Sequence, residues 1–215
     1  RVVDSILWIG ATPLANLAAR SVWAPPAVPH WSASSLRRGL EAVDEVWTGD
    51  LIAEGLATLG AGHAPSDASP LVRAAMPGLA ALELILAGSD DDTDRESGLA
   101  GLIGLGPGLT PSGDDLIGGA LIALAALGRI EARDALWDHC RALLDGTNDI
   151  SRIHLRAAAL GYGAAALHDA IHMTMSGEAS GFRRAFTALT AIGHTSGLDA
   201  FAGSLIVLRH ALRER

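Results

Sequence analysis

The sequence predicts a mainly α-helical protein with a smaller α/β part at the N-terminal end. Three observations carry this. Ala and Leu, strong helix formers, dominate a composition that is 49% hydrophobic and only 4% aromatic. Runs of Val, Ile and Tyr that would build a large sheet are few. From Ser112 onward, apolar stretches of helical length alternate with breaks of Gly, Asn, Asp and Ser. The 215 residues suffice for one large domain or a domain with an appendage.

Taken in order, Val2 to Ile9 reads as one buried strand ending at Gly10. Pro25, Pro26 and Pro29 mark an irregular connection. Leu36 to Val46 and Leu51 to Leu59 read as helices, separated by the stop and cap Thr48-Gly49-Asp50. Gly60 to Ser69 reads as loop, and Pro70 to Ala87 as a helix open to interruption at Pro77-Gly78. The acidic run Ser89-Asp90-Asp91-Asp92-Thr93-Asp94 lacks the ligand spacing of a calcium loop and reads as a solvated surface loop. The chain therefore divides into a mixed part, 1–88, an acidic loop, 89–98, and a helical domain, 99–215. In the last, helices are expected over Gly113–Leu127, Ala132–Leu144, Ile150–Met175 (with a break near Gly161-Gly163), Phe182–Ile192 and Gly197–Arg213, forming a bundle or layer.

Charge and composition exclude several functions. The net charge is -8 and no basic patch stands out, which argues against nucleic acid. All 16 basic residues are arginine, so neither a Schiff-base lysine nor a phosphate-loop lysine exists. One cysteine, Cys140, rules out an internal disulfide and sits where a buried thiol is expected. The longest apolar run, Leu116 to Leu127, is too short to span a bilayer. The chain opens at Arg1 with no charged-then-apolar leader, which predicts a cytoplasmic protein, while a natural start upstream stays open.

The informative segment is Gly104-Leu105-Gly106-Pro107-Gly108-Leu109-Thr110-Pro111-Ser112-Gly113-Asp114-Asp115. Its glycines permit positive φ, and a loop opening a helix can offer N–H groups to an anion. Asp114 and Asp115 oppose a bare phosphate, so a divalent cation such as Mg²⁺ or a cationic group would have to intervene. A plain loop-to-helix junction is the simpler reading.

The pattern occurs a second time. Ser112-Gly113-Asp114-Asp115-Leu116-Ile117-Gly118-Gly119 parallels Ser196-Gly197-Leu198-Asp199-Ala200-Phe201-Ala202-Gly203 at a constant separation of 84, that of Asp115 and Asp199. Either each Ser-x-x-Asp closes its own helix as a capping box, or two helix starts face one pocket. The second reading predicts Ser112, Ser196, Asp115 and Asp199 together. Thr147-Asn148-Asp149-Ile150-Ser151 is a third polar helix start that could line the same pocket or be a cap alone; His154 follows, with Arg152 and Arg156, whose guanidinium groups could hold a phosphate or carboxylate. His168 and His172 have the spacing of a helical metal pair but read as partly buried or surface histidines.

GLGPGLTPSGDD, GTNDIS and GHTSGLDAFAG together resemble the AllH-like family, named for a subunit of oxamate carbamoyltransferase, over roughly Leu99 to Leu208. Family members usually carry a longer β-containing N-terminal region. The resemblance implies exchange of a carbamoyl group between carbamoyl phosphate and oxamate, forming oxalurate in purine and allantoin nitrogen use, by several subunits together. The Ser-Thr-Arg-Thr phosphate signature of the common transcarbamoylases is absent. On this reading a small anionic substrate meets Gly106, Gly108, Thr110, Ser112, Gly113, Asp114, Thr147, Ser151, Thr195, Ser196 and Gly197. Asp115, Asp199 and His194 are the candidate catalytic groups, with no assigned metal ligand and Mg²⁺ as the one candidate cofactor. The alternative is a non-catalytic, small-anion-binding or regulatory subunit, and a purely structural subunit comes third.

Overall fold

A computed structural model describes residues 2–4, 6–9, 11–16, 23–48, 54–62, 68–89 and 92–214. It is mainly helical. Three short strands, β1 (Val2–Val3), β2 (Ile6–Ile9) and β3 (Thr12–Asn16), form an antiparallel sheet in the order β1-β2-β3. The helices are α1 (Ala33–Asp44), α2 (Pro70–Leu86), α3 (Asp92–Leu102), α4 (Ser112–Ala126), α5 (Ile130–Ala142), α6 (Asp149–Ala159), α7 (Ala165–Ser176), α8 (Ala179–Leu189) and α9 (Ser196–Arg213). No helix among the described residues is long and apolar enough to cross a membrane.

Several expectations need correction. The single strand from Val2 to Ile9 is a hairpin, with Val3 paired to Ile6 and Asp4 turning at φ 49°, a region Asp tolerates better than most residues. Within Leu51–Leu59, residues 51–53 lie outside the described part. The remainder leads into a 3-10 turn, Ala57–Ala61, bounded by Gly55 and Gly62 in the left-handed region. The expected acidic loop, 89–98, holds the start of α3 at Asp92; residues 90–91 lie outside the described part. Helix α2 continues through Pro77, with Gly98 of α3 lying against the Pro77 carbonyl. The long helix expected over Ile150–Met175 does break, at Gly161 with φ 82°, into α6 and α7.

Local chemistry fixes several helix starts. Ser32 and Ser35 form a reciprocal capping box on α1, Ser69 caps α2 ahead of Pro70, and Asn148 accepts from the N–H groups of Ile150 and Ser151 on α6. One core joins helices from both sides of residues 89–98, from Leu36 and Val72 to Leu116 and Leu205. Cys140 is buried in it, and burial pushes its thiol up to about 12.

At the centre, α4 packs along α9. Both are buried on nearly every side, as a central helix must be. A Cβ on Gly119 would overlap the carbonyl oxygen of Ala200, and one on Gly203 would overlap that of Leu116. Residues 116 and 119 shifted by 84 become 200 and 203, so the two contacts are one contact repeated by a local two-fold axis. The repeat extends outward. Helices α3 and α8 are both 11 residues long and lie 87 apart at each end, Asp92 to Ala179 and Leu102 to Leu189. Helix α2 packs on α3 as α7 packs on α8; α5 meets the first pair and α1 the second.

Because backbone stands where a Cβ would go, Gly119→Val should destabilise the fold by about 3 kcal/mol or more. Thermal and urea unfolding measure it. A loss below about 1 kcal/mol would mean the helices can separate without cost.

Candidate functional site

The repeat brings the two Ser-x-x-Asp helix starts together. Neither Ser112 nor Ser196 caps its own helix: the N-cap positions of α4 and α9 are Pro111 and Thr195, and neither makes a side-chain cap bond. The hydroxyls instead cross over. Ser112 hydrogen-bonds the carboxylate of Asp199, and Ser196 that of Asp115. The capping-box account fails, because the axis places each serine nearer the other helix's aspartate. Thr110 joins the group, its Oγ1 standing 2.9 Å from Ser196 Oγ.

The three carboxylates have different surroundings. Asp114 is 2% exposed, and it accepts from the Gly104 N–H at 2.9 Å, the Thr147 hydroxyl at 2.5 Å and the Ser151 hydroxyl at 2.6 Å. Both its oxygens are therefore committed to tying the glycine loop and the start of α6 onto α4. Asp199 is fully buried and accepts from the Leu56 N–H at 2.6 Å. Burial raises its pKa, while bonds from Ser112, Leu56 and Thr195 hold it down. Asp115 is pushed up to about 7, first by burial and then by the charges of Asp199 and Asp114, against hydrogen bonds from Ser196 and Thr110. Its Oδ2 is buried and accepts no hydrogen bond among the described residues.

A cavity of about 550 Å³ opens over Asp115, with Thr110, Ser196 and Gly197 beside it. Its walls are largely apolar, including Ile122, Leu155, Leu167 and Ile192, and Trp23, His154 and Tyr162 also line it. No arginine lines it among the described residues. Arg152 is held elsewhere, its Nε donating to the Leu144 carbonyl at 2.8 Å and its guanidinium facing Asp145 and Asp149.

The glycine loop is not arranged as a ring of open donors. The Gly113 N–H donates to the Leu105 carbonyl and the Gly197 N–H to that of Ile192. Gly106, at φ 110°, lies against Ser112, and Gly108, at φ 98°, is exposed in open space. Thr147 and Ser151 serve Asp114, and Thr195 serves Asp199. His194 stands apart: its ring is 84% exposed and meets Glu54 at 2.5 Å. His168 and His172 are buried, at 4% and 5% exposure, and burial lowers both pKa values. Among the described residues, no three His, Cys, Asp or Glu side chains converge as a metal site requires. Sequence reasoning named Ser151 at the start of α6 but missed the apolar lining behind it, the chief signal for which was the spacing of Leu155 and Ala158.

Residues 102–208, which contain this whole arrangement except Trp23, Leu56 and Glu54, match the family model described as oxamate carbamoyltransferase subunit AllH. Over residues 102–208 the chain is AllH-like. The subunit description implies other protein subunits in a complex. The AllH-like region begins at the last residue of α3 and ends within α9, so it spans the central helix pair but not the N-terminal sheet. No solved structure matches the chain.

The raised pKa of Asp115 fixes a pH dependence. Between the ordinary 3.8 and about 7, the folded chain holds a proton that the unfolded chain releases. Stability therefore falls as pH rises through that window, with the loss complete above about 7. Asp199, shifted the same way, adds to the slope. Asp115→Asn should flatten the fall in Tm between about pH 5 and about pH 8. Superimposable profiles for the variant and the parent would show that Asp115 titrates normally.

Proposed function

We propose that the chain is the carbamoyl-handling subunit of an oxamate carbamoyltransferase-like complex, transferring a carbamoyl group between carbamoyl phosphate and oxamate. The observation that carries this is Asp115, a half-buried carboxylate in the wall of a cavity, with an Oδ2 that is buried and has no partner among the described residues, in a chain similar to the AllH-like family. A carbamoyl group presents an NH₂, and a carboxylate is the acceptor that suits it. Thr110 and Ser196 would hold Asp115 in place, and Ser112 and Asp199 would support it across the two-fold axis.

In the forward reaction the oxamate amide nitrogen bonds to the carbamoyl carbon, the carbon–oxygen bond to phosphate breaks, and phosphate leaves with the electron pair. The nitrogen must also lose a proton. Asp115, with a pKa near neutrality, is suited to accept it. The phosphate dianion needs positive charge that the described lining does not offer, so a partner subunit, with or without a divalent cation, supplies it. His194 could act only after leaving Glu54, which makes it the weaker candidate for acid–base work.

The second reading is a non-catalytic subunit that binds a small anion. Gly108 and the exposed loop tip favour it, because they leave backbone open to a ligand. The carboxylates of the cavity argue against it.

The purified chain should turn over carbamoyl phosphate and oxamate poorly by itself, with or without Mg²⁺, and partner subunits should restore the rate. In the restored complex, Asp115→Ala should lower kcat about 100-fold. Efficient turnover by the lone chain without metal would remove the partner requirement. A fully active Asp115→Ala complex would remove Asp115 from the reaction.

A further inference from the structure

The two halves of the repeat are covered differently. Over the second half, the segment 54–62 lies directly on α9. Gly60 faces Ala202, Gly62 faces Arg209, and the Leu56 N–H donates to Asp199, with the Leu56 side chain fully buried. Over the first half the cover is α6 and the turn after it. Ala158 faces Gly118, and Gly161 faces Ala125. Shifting 118 and 125 by 84 gives 202 and 209, so the covers occupy equivalent places. In the first half, however, the cover leaves the 550 Å³ cavity open over Asp115, the counterpart of Asp199. At Asp199 an amide N–H reaches Oδ1 and Oδ2 is left without a partner; at Asp115 Oδ2 is likewise without a partner among the described residues, and there the cavity opens.

We propose that the cavity over Asp115 binds a neutral amide whose N–H donates to Asp115 and whose body is a branched aliphatic group the size of a leucine side chain. The chain itself supplies the template, since Leu56, whose side chain is fully buried, donates its amide N–H to the equivalent carboxylate. The walls agree. Ile122, Leu155, Leu167, Leu189 and Ile192 offer apolar contact far beyond what a carbamoyl group could cover. Charge agrees too. Asp114, Asp115 and Asp199 sit together with no arginine among the described lining residues, so a carboxylate ligand would face repulsion where an amide donates. Such a ligand goes beyond the carbamoyl reading, because it occupies the large apolar part of the cavity and binds the lone chain.

The same chemistry is offered by a free amide and by a peptide unit, and the test separates them. The purified chain is titrated calorimetrically with 4-methylpentanamide, with N-acetyl-leucine methylamide, and with 4-methylpentanoate. Saturable binding of at least one amide is expected, with the carboxylate at least about 10-fold weaker. Asp115→Ala should weaken the amide by about 10-fold or more, and Ala157→Phe, which fills the cavity from the half-exposed wall of α6, should abolish binding while the variant keeps a cooperative melt. Binding of both amides assigns the site to free amides as well as peptides; binding of the peptide unit alone assigns it to a polypeptide segment. Equal or tighter binding of the carboxylate, no binding of either amide, or amide binding untouched by both substitutions would overturn the proposal. None of these results depends on carbamoyl turnover, so that reaction stands or falls by its own assay.

Discussion

The distance between α4 and α9 is set by Gly119 and Gly203, and the rest of the site depends on it. With backbone against backbone at both glycines, the two helix starts come close enough for serines to reach across. A larger residue at either position would separate Ser112 from Asp199 and Ser196 from Asp115 together. Hydroxyl and carboxylate then hold the helix ends that the glycines hold in the middle, so packing and polar bonding reinforce one geometry.

The symmetry is not complete. From Leu102, Leu105 and Gly106 to Leu189, Ile192 and Gly193 the separation is 87, and from Ser112 to Ser196 it is 84. The difference is three residues, which Pro107-Gly108-Leu109 account for as the exposed tip of the first loop. Both Gly106 and Gly193 have positive φ and lie against the serine that opens the next helix, so the insertion leaves the base of the turn unchanged. A second asymmetry lies in the covers. One carboxylate takes an amide N–H from the chain's own Leu56, and the other faces a cavity. Each keeps one buried oxygen without a partner among the described residues, but Asp199 is fully buried while Asp115 opens onto the cavity.

Much of the helical fold was legible. Ser69-Pro70, Asn148 and the glycines at 161 and 177 are local signals, and the helices begin or end beside them as local physics requires. The 84-residue repeat was legible as well, and the meeting of its two helix starts follows from glycines that match on both. What the sequence could not convey is which partner each polar group takes. A serine at a helix start reads as a cap, because its nearest N–H groups belong to its own chain segment. Only the crossing of two helices brings a foreign carboxylate nearer. The hairpin at Asp4 and the 3-10 turn at Ala57 were missed for a related reason: pairing or packing outweighed local propensity.

Cys140 has a further consequence. The chain's one thiol is sealed in the core and held far from ionisation, and no lysine is present to compete. The surface therefore starts out blank to thiol reagents, and its side chains offer no amine. A cysteine introduced at an exposed position, such as Leu109 on the loop tip or Leu160 after α6, would take a fluorophore or spin label alone. Two such positions would report distances between the loop and the cover of the cavity without any background residue having to be removed first.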